Sequence, residues 1–343
     1  MGDIFLSIRG RVLINVEALN MTESVGNYVK HRRVPVILPK EEYTTFFVPA
    51  ISGEALAHGY QVVLAEEAKK LAEEEEKTGK KAGKKNKKNE ENKSYVCNLC
   101  SRGIFLKSTN EEVFKGAFGI EPPADPYKFE EYVVSKCIVE DIGGFLYAPA
   151  RAKMNVKRTS NFYTGYMIPV KEALEAVVIE PQLHSRYALG TPFVKGEARG
   201  QMIYYVELSS APYTFAFDFD SKYVGKASFV YEHAGKVVVE NRAERINVAL
   251  NALQKFILEF MFGAKKTRFL PVVEWESMVI AVSDDVWTVP SPFTAKYVEN
   301  AKKKLEKISY NTKLHIYTKD SGKTVEEVVI EAINDAKERV KKQ

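Results

Sequence analysis

The chain has 343 residues, 45% hydrophobic and 28% charged, with three cysteines and a formal net charge of +5. That is the composition of a globular protein of two domains or one elaborated domain, and the few cysteines argue against a disulfide framework and for a reducing, cytoplasmic setting. No apolar run approaches the length of a membrane span and MGDIFLSIRG lacks a signal-peptide core, so neither a membrane nor export is expected.

Residues 77–93 hold eight lysines against two glutamates, a net of +6, which leaves −1 for the rest of the chain. The folded body is therefore nearly neutral, and any site for a polyanion has to be a local cluster.

Taken in order, Ile4 to Val16 reads as a long apolar strand. A polar loop follows and gathers Asn20, Asn27, Lys30, His31, Arg32 and Arg33 without a hydrophobic period. Pro35 pushes Val34 toward extended backbone, and a second strand-like run leads to Ser52. There a helix is expected, with Ser52 as N-cap, Gly53 and Glu54 in the first turn, and Ile51 with Leu56 as a hydrophobic staple. Leu56, Tyr60, Val63, Leu64, Ala68 and Leu71 form its buried stripe to about Gly79, and His58 falls outside that stripe. A helix start after a glycine-bearing turn attracts anions, so cations nearby in sequence suggest phosphate. A solvated loop beside an ordinary capped helix explains the same residues equally well.

The lysine-rich tract that comes next has no apolar residue beyond Ala82 and reads as a surface loop. Order is expected again from Ser94, where Cys97 and Cys100 form one CxxC pair. With Cys137 and a histidine these could make a zinc site, but the free-thiol reading is favoured and no bound metal or cofactor is expected. Phe129 to Tyr147 alternates well enough for a strand ending at Gly143 and Gly144. Arg151, Lys153, Lys157, Arg158, Ser160, Asn161 and Tyr163 then mix cations, hydroxyls and rings in the manner of a ribose-phosphate contact. A second such group is Gln182, His184 and Arg186.

Arg199 to Asp220 is strand-like with a turn expected near Ser209 to Pro212. Asn241 with Glu244 resembles a capping box, opening a helix that buries Ile246, Leu250, Leu253, Ile257 and Phe260 and ends with Gly263 at C′. Lys265, Lys266 and Arg268 form a compact basic loop before a strand at 271–282. The C-terminal part reads as helix, strand and helix at 295–305, 314–317 and 325–340.

This order suggests an α+β fold with a split βαβ, ferredoxin-like core. Residues 1–79 and 201–290 would form it, 80–200 would be inserted, and 291–343 would be an extension. The basic loops join core elements and are expected to converge on one face. No P-loop, dinucleotide fingerprint, HExxH or GxSxG occurs, and Asp218 with Asp220 is a poor candidate for a metal pair. The surviving enzyme reading is RNA cleavage with His31, His58 or His184 as general acid or base, which needs a second paired group. The usual sheet signature for stacking RNA bases is missing, so binding would run through loops.

ALNMTESVGNYVKHRRVP, VPAISGEALAH, VEDIGGFL, VKRTSNFYTGYMIP, PQLHSRY and GAKKTRFLP, in this order, together resemble the backbone subunit of archaeal type I-A Cascade, a CRISPR-associated DevR-family RAMP protein. The resemblance covers most of residues 1–282. It implies a modified RNA-recognition-motif palm with an inserted finger and thumb region, and no catalytic activity. It further implies head-to-tail copies stacked in a helix along CRISPR RNA, other Cascade subunits as partners, and spacer bases presented to target DNA. Carried onto this chain, the RNA-contacting positions are the loop from Asn20 to Arg33, the turn from Ser52 to His58, Lys157 to Asn161, His184, and Lys265 to Arg268. The lysine-rich tract and the CxxC depart from the family pattern.

Overall fold

A computed structural model describes residues 2–39, 42–81, 95–149, 154–187 and 201–342. The strands are β1 (Phe5–Glu17), β2 (Met21–Val25), β3 (Tyr28–His31), β4 (Arg33–Pro39), β5 (Tyr43–Pro49), β6 (Phe145–Tyr147), β7 (Val156–Arg158), β8 (Phe162–Thr164), β9 (Val178–Tyr187), β10 (Gln201–Asp220), β11 (Val272–Ser283) and β12 (Lys313–Thr318). The helices are α1 (Gly53–Lys81), α2 (Glu111–Phe118), α3 (Pro126–Lys136), α4 (Ile138–Gly143), α5 (Arg242–Leu258), α6 (Tyr297–Lys307) and α7 (Val325–Lys342). Among the described residues no helix is long and apolar enough to cross a membrane.

β1 is the centre of a mixed α+β arrangement. It pairs antiparallel with β10 on one side and β11 on the other, and β12 lies beyond β11. The far side of β10 carries β9 along residues 201–210 and β8 along 217–219, both antiparallel. Where β1 has ended, β3 takes its place and pairs in parallel with Tyr205 and Val206. Strand β8 thus adds to the sheet in the spatial order β11-β1-β10-β8.

Alternation explains which face is covered. Leu6, Ile8, Val12 and Ile14 of β1, Phe215, Phe217 and Phe219 of β10, and Met278, Ile280 and Val282 of β11 are all buried beneath α1, α5 and α7. Tyr60 of α1 locks this layer: its ring meets Phe162, Phe217 and Phe256 edge-on, and its hydroxyl donates to the Ala249 carbonyl at 3.0 Å. On the opposite face Val279 and Ala281 pack against Trp287, Tyr297 and Ala301, where α6 lies.

Four expectations from the sequence fail here. Phe129 to Tyr147 is mostly α3 and α4, not a strand; Pro126 opens α3 at its first turn and Asp125 Oδ1 accepts the Lys128 amide at 2.8 Å. That cap-plus-proline start was legible and outweighs the loose alternation. No turn interrupts β10 near Ser209 to Pro212. Pro212 is tolerated because it sits in the gap between β9 and β8, where its carbonyl accepts the Val170 amide at 2.9 Å and no N–H is called for.

The polar loop after β1 is a hairpin, β2 and β3, closed by Gly26 and Asn27 with Gly26 at φ +62°. Gly-Asn between strands is a hairpin signal in its own right. Finally, α5 stops at Leu258, and Asn241 caps nothing; its Oδ1 accepts Arg245 Nε at 3.2 Å.

Candidate nucleic-acid interface

Asn20 organises one end of the sheet. Its Oδ1 accepts Arg32 Nε at 2.9 Å and the Ser52 amide at 2.8 Å, and its carbonyl accepts the Arg32 amide at 2.9 Å. One residue earlier, the Leu19 carbonyl accepts the Ala264 amide at 2.7 Å. Gly263 makes this approach possible: it stands at φ +84°, and a Cβ there would lie 2.6 Å from Leu19 Cδ2. Three turns remote in sequence, at 19–33, 50–54 and 263–268, therefore sit side by side. His184 of β9 joins them through its ring, stacked on Tyr204 at 5.3 Å and edge-on to Phe269 at 5.2 Å.

Beneath these turns lies a layer of buried polar groups. The His31 side chain is 0% exposed, with Nε2 2.6 Å from Glu17 Oε1 and Nδ1 2.9 Å from the Arg32 carbonyl. Glu17 also accepts the Leu19 amide at 2.7 Å and the Tyr213 hydroxyl at 2.8 Å. Burial pulls His31 toward the neutral form, but its hydrogen bond to Glu17 and the charges of Glu17 and Glu207 outweigh this and raise its pKa. Glu207 is the second node. It accepts the His31 amide at 2.7 Å, the Tyr28 hydroxyl at 3.1 Å and Arg33 Nη2 at 2.9 Å. Reading the loop from its polar residues missed Glu17, Glu207 and Tyr213, because their partners come from strands far away in the chain.

Above that layer, Lys265 and Arg268 are exposed, and the Arg268 guanidinium donates to the neighbouring Thr267 carbonyl at 2.8 Å. Arg33 is half exposed, Lys30 pairs with Glu23 at 3.2 Å, and Asn27 donates to the Ile203 carbonyl at 3.1 Å. Lys266 turns inward instead. Its ammonium donates to the Phe260 carbonyl and stands over the Phe260 ring, and desolvation lowers its pKa. Ser52 is buried and caps α1, its Oγ accepting the Ala55 amide at 3.3 Å. Gly53 lies against Thr164, whose hydroxyl donates to the Gly53 carbonyl at 2.8 Å. Glu54 and His58 are exposed, and the His58 ring meets Phe105 edge-on.

Lys157 to Asn161 is engaged mainly in internal contacts. The Asn161 carbonyl accepts the Asp220 amide, and Asp220 pairs with Phe5 at the start of β1, whereas Asn20 follows its end. Three residues on, the Thr164 hydroxyl donates to the Gly53 carbonyl at 2.8 Å, so the stretch is linked to the start of α1 through β8. Arg158 is also 0% exposed in its side chain, held by Glu130 Oε1 at 2.8 Å and Asp141 Oδ1 at 2.6 Å. Asn161 donates to the Asp141 carbonyl at 2.9 Å, and Ser160 is half-buried, which leaves Lys157 as the exposed cation. Arg151, Lys153 and the tract at 82–94 lie outside the described residues, as does the Arg186 side chain.

Asp218 is engaged by both guanidinium nitrogens of Arg9, at 2.6 and 2.9 Å, so it is a salt-bridge partner of β1. The three cysteines are buried and unbridged, and their sulfurs lie within 4.8 Å of one another.

The family described as CRISPR-associated negative auto-regulator DevR/Csa2 matches this chain over residues 8–95 and 84–302. A Saccharolobus solfataricus protein named CRISPR-associated protein Cas7/Csa2 1 is 33% identical over 305 residues, covering 87% of this chain and 86% of that protein. A second protein of that organism, named CRISPR-associated aCascade subunit Cas7/Csa2 2, is 36% identical over 281 residues, covering 80% of this chain and 78% of its own length. A solved chain titled CRISPR RNA-guided surveillance complex, pre-nicking, aligns with a TM-score of 0.47 and 10% identity over 97% of this chain and 99% of that one. With the family matched along most of its length and relatives above 30% identity across four-fifths of it, the chain belongs to the DevR/Csa2 family of CRISPR-associated proteins.

Proposed function

We propose that this chain is a non-catalytic backbone subunit of an archaeal Cascade that grips CRISPR RNA through its sugar-phosphate chain. The observation that carries the reading is the meeting of the 19–33, 50–54 and 263–268 turns around Asn20, with Lys265, Arg268 and Arg33 exposed over them. Cations, amides and the start of α1 on one side of a sheet suit phosphates, whose neutralisation positions a strand without reading its bases. The spacer bases then remain free to pair with target DNA, other Cascade subunits and further copies of the chain completing the particle. The order β1-α1-β8-β10-α5-β11, with spatial order β11-β1-β10-β8, supports a ferredoxin-like palm.

The histidines fit this reading better than a nuclease. His31 is spent on Glu17 inside the fold, His184 has a buried Nε2 with no partner among the described residues, and His58 faces Phe105. None forms the exposed acid–base pair that cleavage requires.

Lys265→Ala and Arg268→Ala are each expected to weaken binding equally for all RNA sequences and to reduce the salt slope by about 1. Fluorescence anisotropy with repeat-containing and unrelated RNA over a salt series measures this, and the recovered RNA should be intact. A sequence-selective loss, or RNA cut by the protein, would overturn the proposal.

The hairpin of β4 and β5 supports head-to-tail stacking. One face packs on Leu174 and Phe293, while Ile37, Tyr43 and Phe47 on the other are 60%, 82% and 72% exposed. An apolar face left in water by a single copy suits contact with the next. Phe47→Asp with Ile37→Asp should abolish cooperative filling of long RNA and spare the melting temperature; unchanged cooperativity would place the contact elsewhere.

A further inference from the structure

We propose that Cys97, Cys100, Cys137 and Glu140 bind one zinc ion, which pins residues 97–100 to the joint between α3 and α4. The three sulfurs already lie within 4.8 Å of one another in a fully buried pocket beside α1. Tetrahedral zinc with sulfur at about 2.3 Å sets its ligands about 3.8 Å apart, so closing the triangle needs only small inward rotations. A carboxylate stands beside them: Glu140, 0% exposed, accepts from Cys100 Sγ through Oε1 at 2.8 Å, and a side-chain rotation would bring it to the metal as the fourth ligand.

Two further observations distinguish this cluster from three thiols that happen to be neighbours. Glu140 Oε2 is buried with no hydrogen-bond partner among the described residues, a costly state that its own coordination of the metal would end while Oε1 keeps the Leu106 amide at 2.9 Å. Backbone amides are also aimed at sulfur, Cys100 N–H at Cys97 Sγ (3.4 Å) and Cys97 N–H at Cys137 Sγ (3.5 Å). Such donors support thiolates, and the three thiols release their protons as the metal enters. Lys107, whose ammonium donates to the Gly143 carbonyl at 2.6 Å and the Gly144 carbonyl at 3.1 Å, offsets part of the remaining negative charge.

The location explains what the ion would do. Cys97 and Cys100 are among the first described residues after the gap at 82–94, and Cys137 is the joint between α3 and α4. Sulfur geometry suits zinc above hard cations such as magnesium or calcium. A single CxxC does not reveal this from sequence because the third sulfur and the carboxylate lie about 40 residues away on a helix joint.

The test loads the reduced full-length chain with zinc, removes excess on a desalting column and measures metal by mass spectrometry. About one zinc per chain is expected. Cobalt should replace it, with the intense visible bands of a tetrahedral site and a sulfur charge-transfer band. Cys100→Ser should lose the charge-transfer intensity of one sulfur and most of the metal. Glu140→Gln, which removes no sulfur, should weaken zinc at least about 100-fold, since even outer-sphere partners of zinc are worth 10–100-fold. Chelation should lower the melting temperature of the wild type and not of Glu140→Gln. Metal-free protein with three titratable thiols, or a mass showing a disulfide among them, would overturn the proposal.

Discussion

Asp141→Ala should lower the stability of the chain by about 3–5 kcal/mol, the cost of stranding buried positive charge by removing its partner. Asp141 Oδ1 accepts Arg158 Nη2 at 2.6 Å, Oδ2 accepts Arg245 Nη1 at 2.9 Å, and both take the Gly225 amide at 3.0 Å. Glu130 shares the load, accepting Arg158 Nη1 at 2.8 Å, the Ser228 amide and hydroxyl at 2.9 and 2.7 Å, and the Phe229 amide at 3.0 Å. All four charged side chains are essentially without solvent contact. They join α3, α4, β7, the 221–229 loop and α5, so their loss loosens α3, α4 and β7 from α5 and that loop. Calorimetry should record a large fall in melting temperature for Asp141→Ala. Arg158→Met strands the buried Glu130 carboxylate and one Asp141 oxygen in the same way and should cost a similar amount. A melting temperature within a degree of wild type for Asp141→Ala would show that the network carries little of the stability.

The same residues show where reading the sequence stops. Arg158 lies in a stretch whose cations and hydroxyls look like a ribose-phosphate contact, yet its guanidinium is wholly internal. Sequence shows a charge but not its partner, and Glu130 and Asp141 sit 28 and 17 residues away. His31 was misplaced for the same reason, among exposed cations when Glu17 holds it beneath them. Strongly periodic elements were legible: β1, the long helix with its Ser52 cap, and the C-terminal helix, strand and helix all lie within a few residues of where their patterns put them. Weak periods were not. Alternation in Phe129 to Tyr147 competed with a capped proline start and lost, and Pro212 reads as a turn only until the gap between β8 and β9 is known. The meeting of the 19–33, 50–54 and 263–268 turns depends on Gly263 closing on Leu19, a contact between residues 244 apart that no local pattern encodes.

The second large effect concerns that meeting point and gives it a pH dependence. Glu17→Ala would leave the His31 ring, the Tyr213 hydroxyl and the Leu19 amide without their buried acceptor, at a cost of about 3–5 kcal/mol. Because the folded state raises the His31 pKa above its ordinary value of 6.5, it binds that proton more tightly than the unfolded chain does. The stability this supplies is complete below about pH 6.5 and is lost as pH rises through the higher folded-state value. The wild-type melting temperature should therefore fall on going from mildly acid to mildly alkaline buffer. Glu17→Gln keeps an oxygen for the Leu19 amide but removes the charge, so the decline should flatten and the His31 ring resonances should titrate at lower pH. On the proposed function the proton would act at a distance from RNA, by holding the floor under Asn20 and Arg32 beneath Lys265 and Arg268. RNA affinity should consequently weaken with rising pH in the wild type and lose that trend in Glu17→Gln. A His31 midpoint at or below 6.5, or a pH trend identical in the two proteins, would place the control of this surface in other groups.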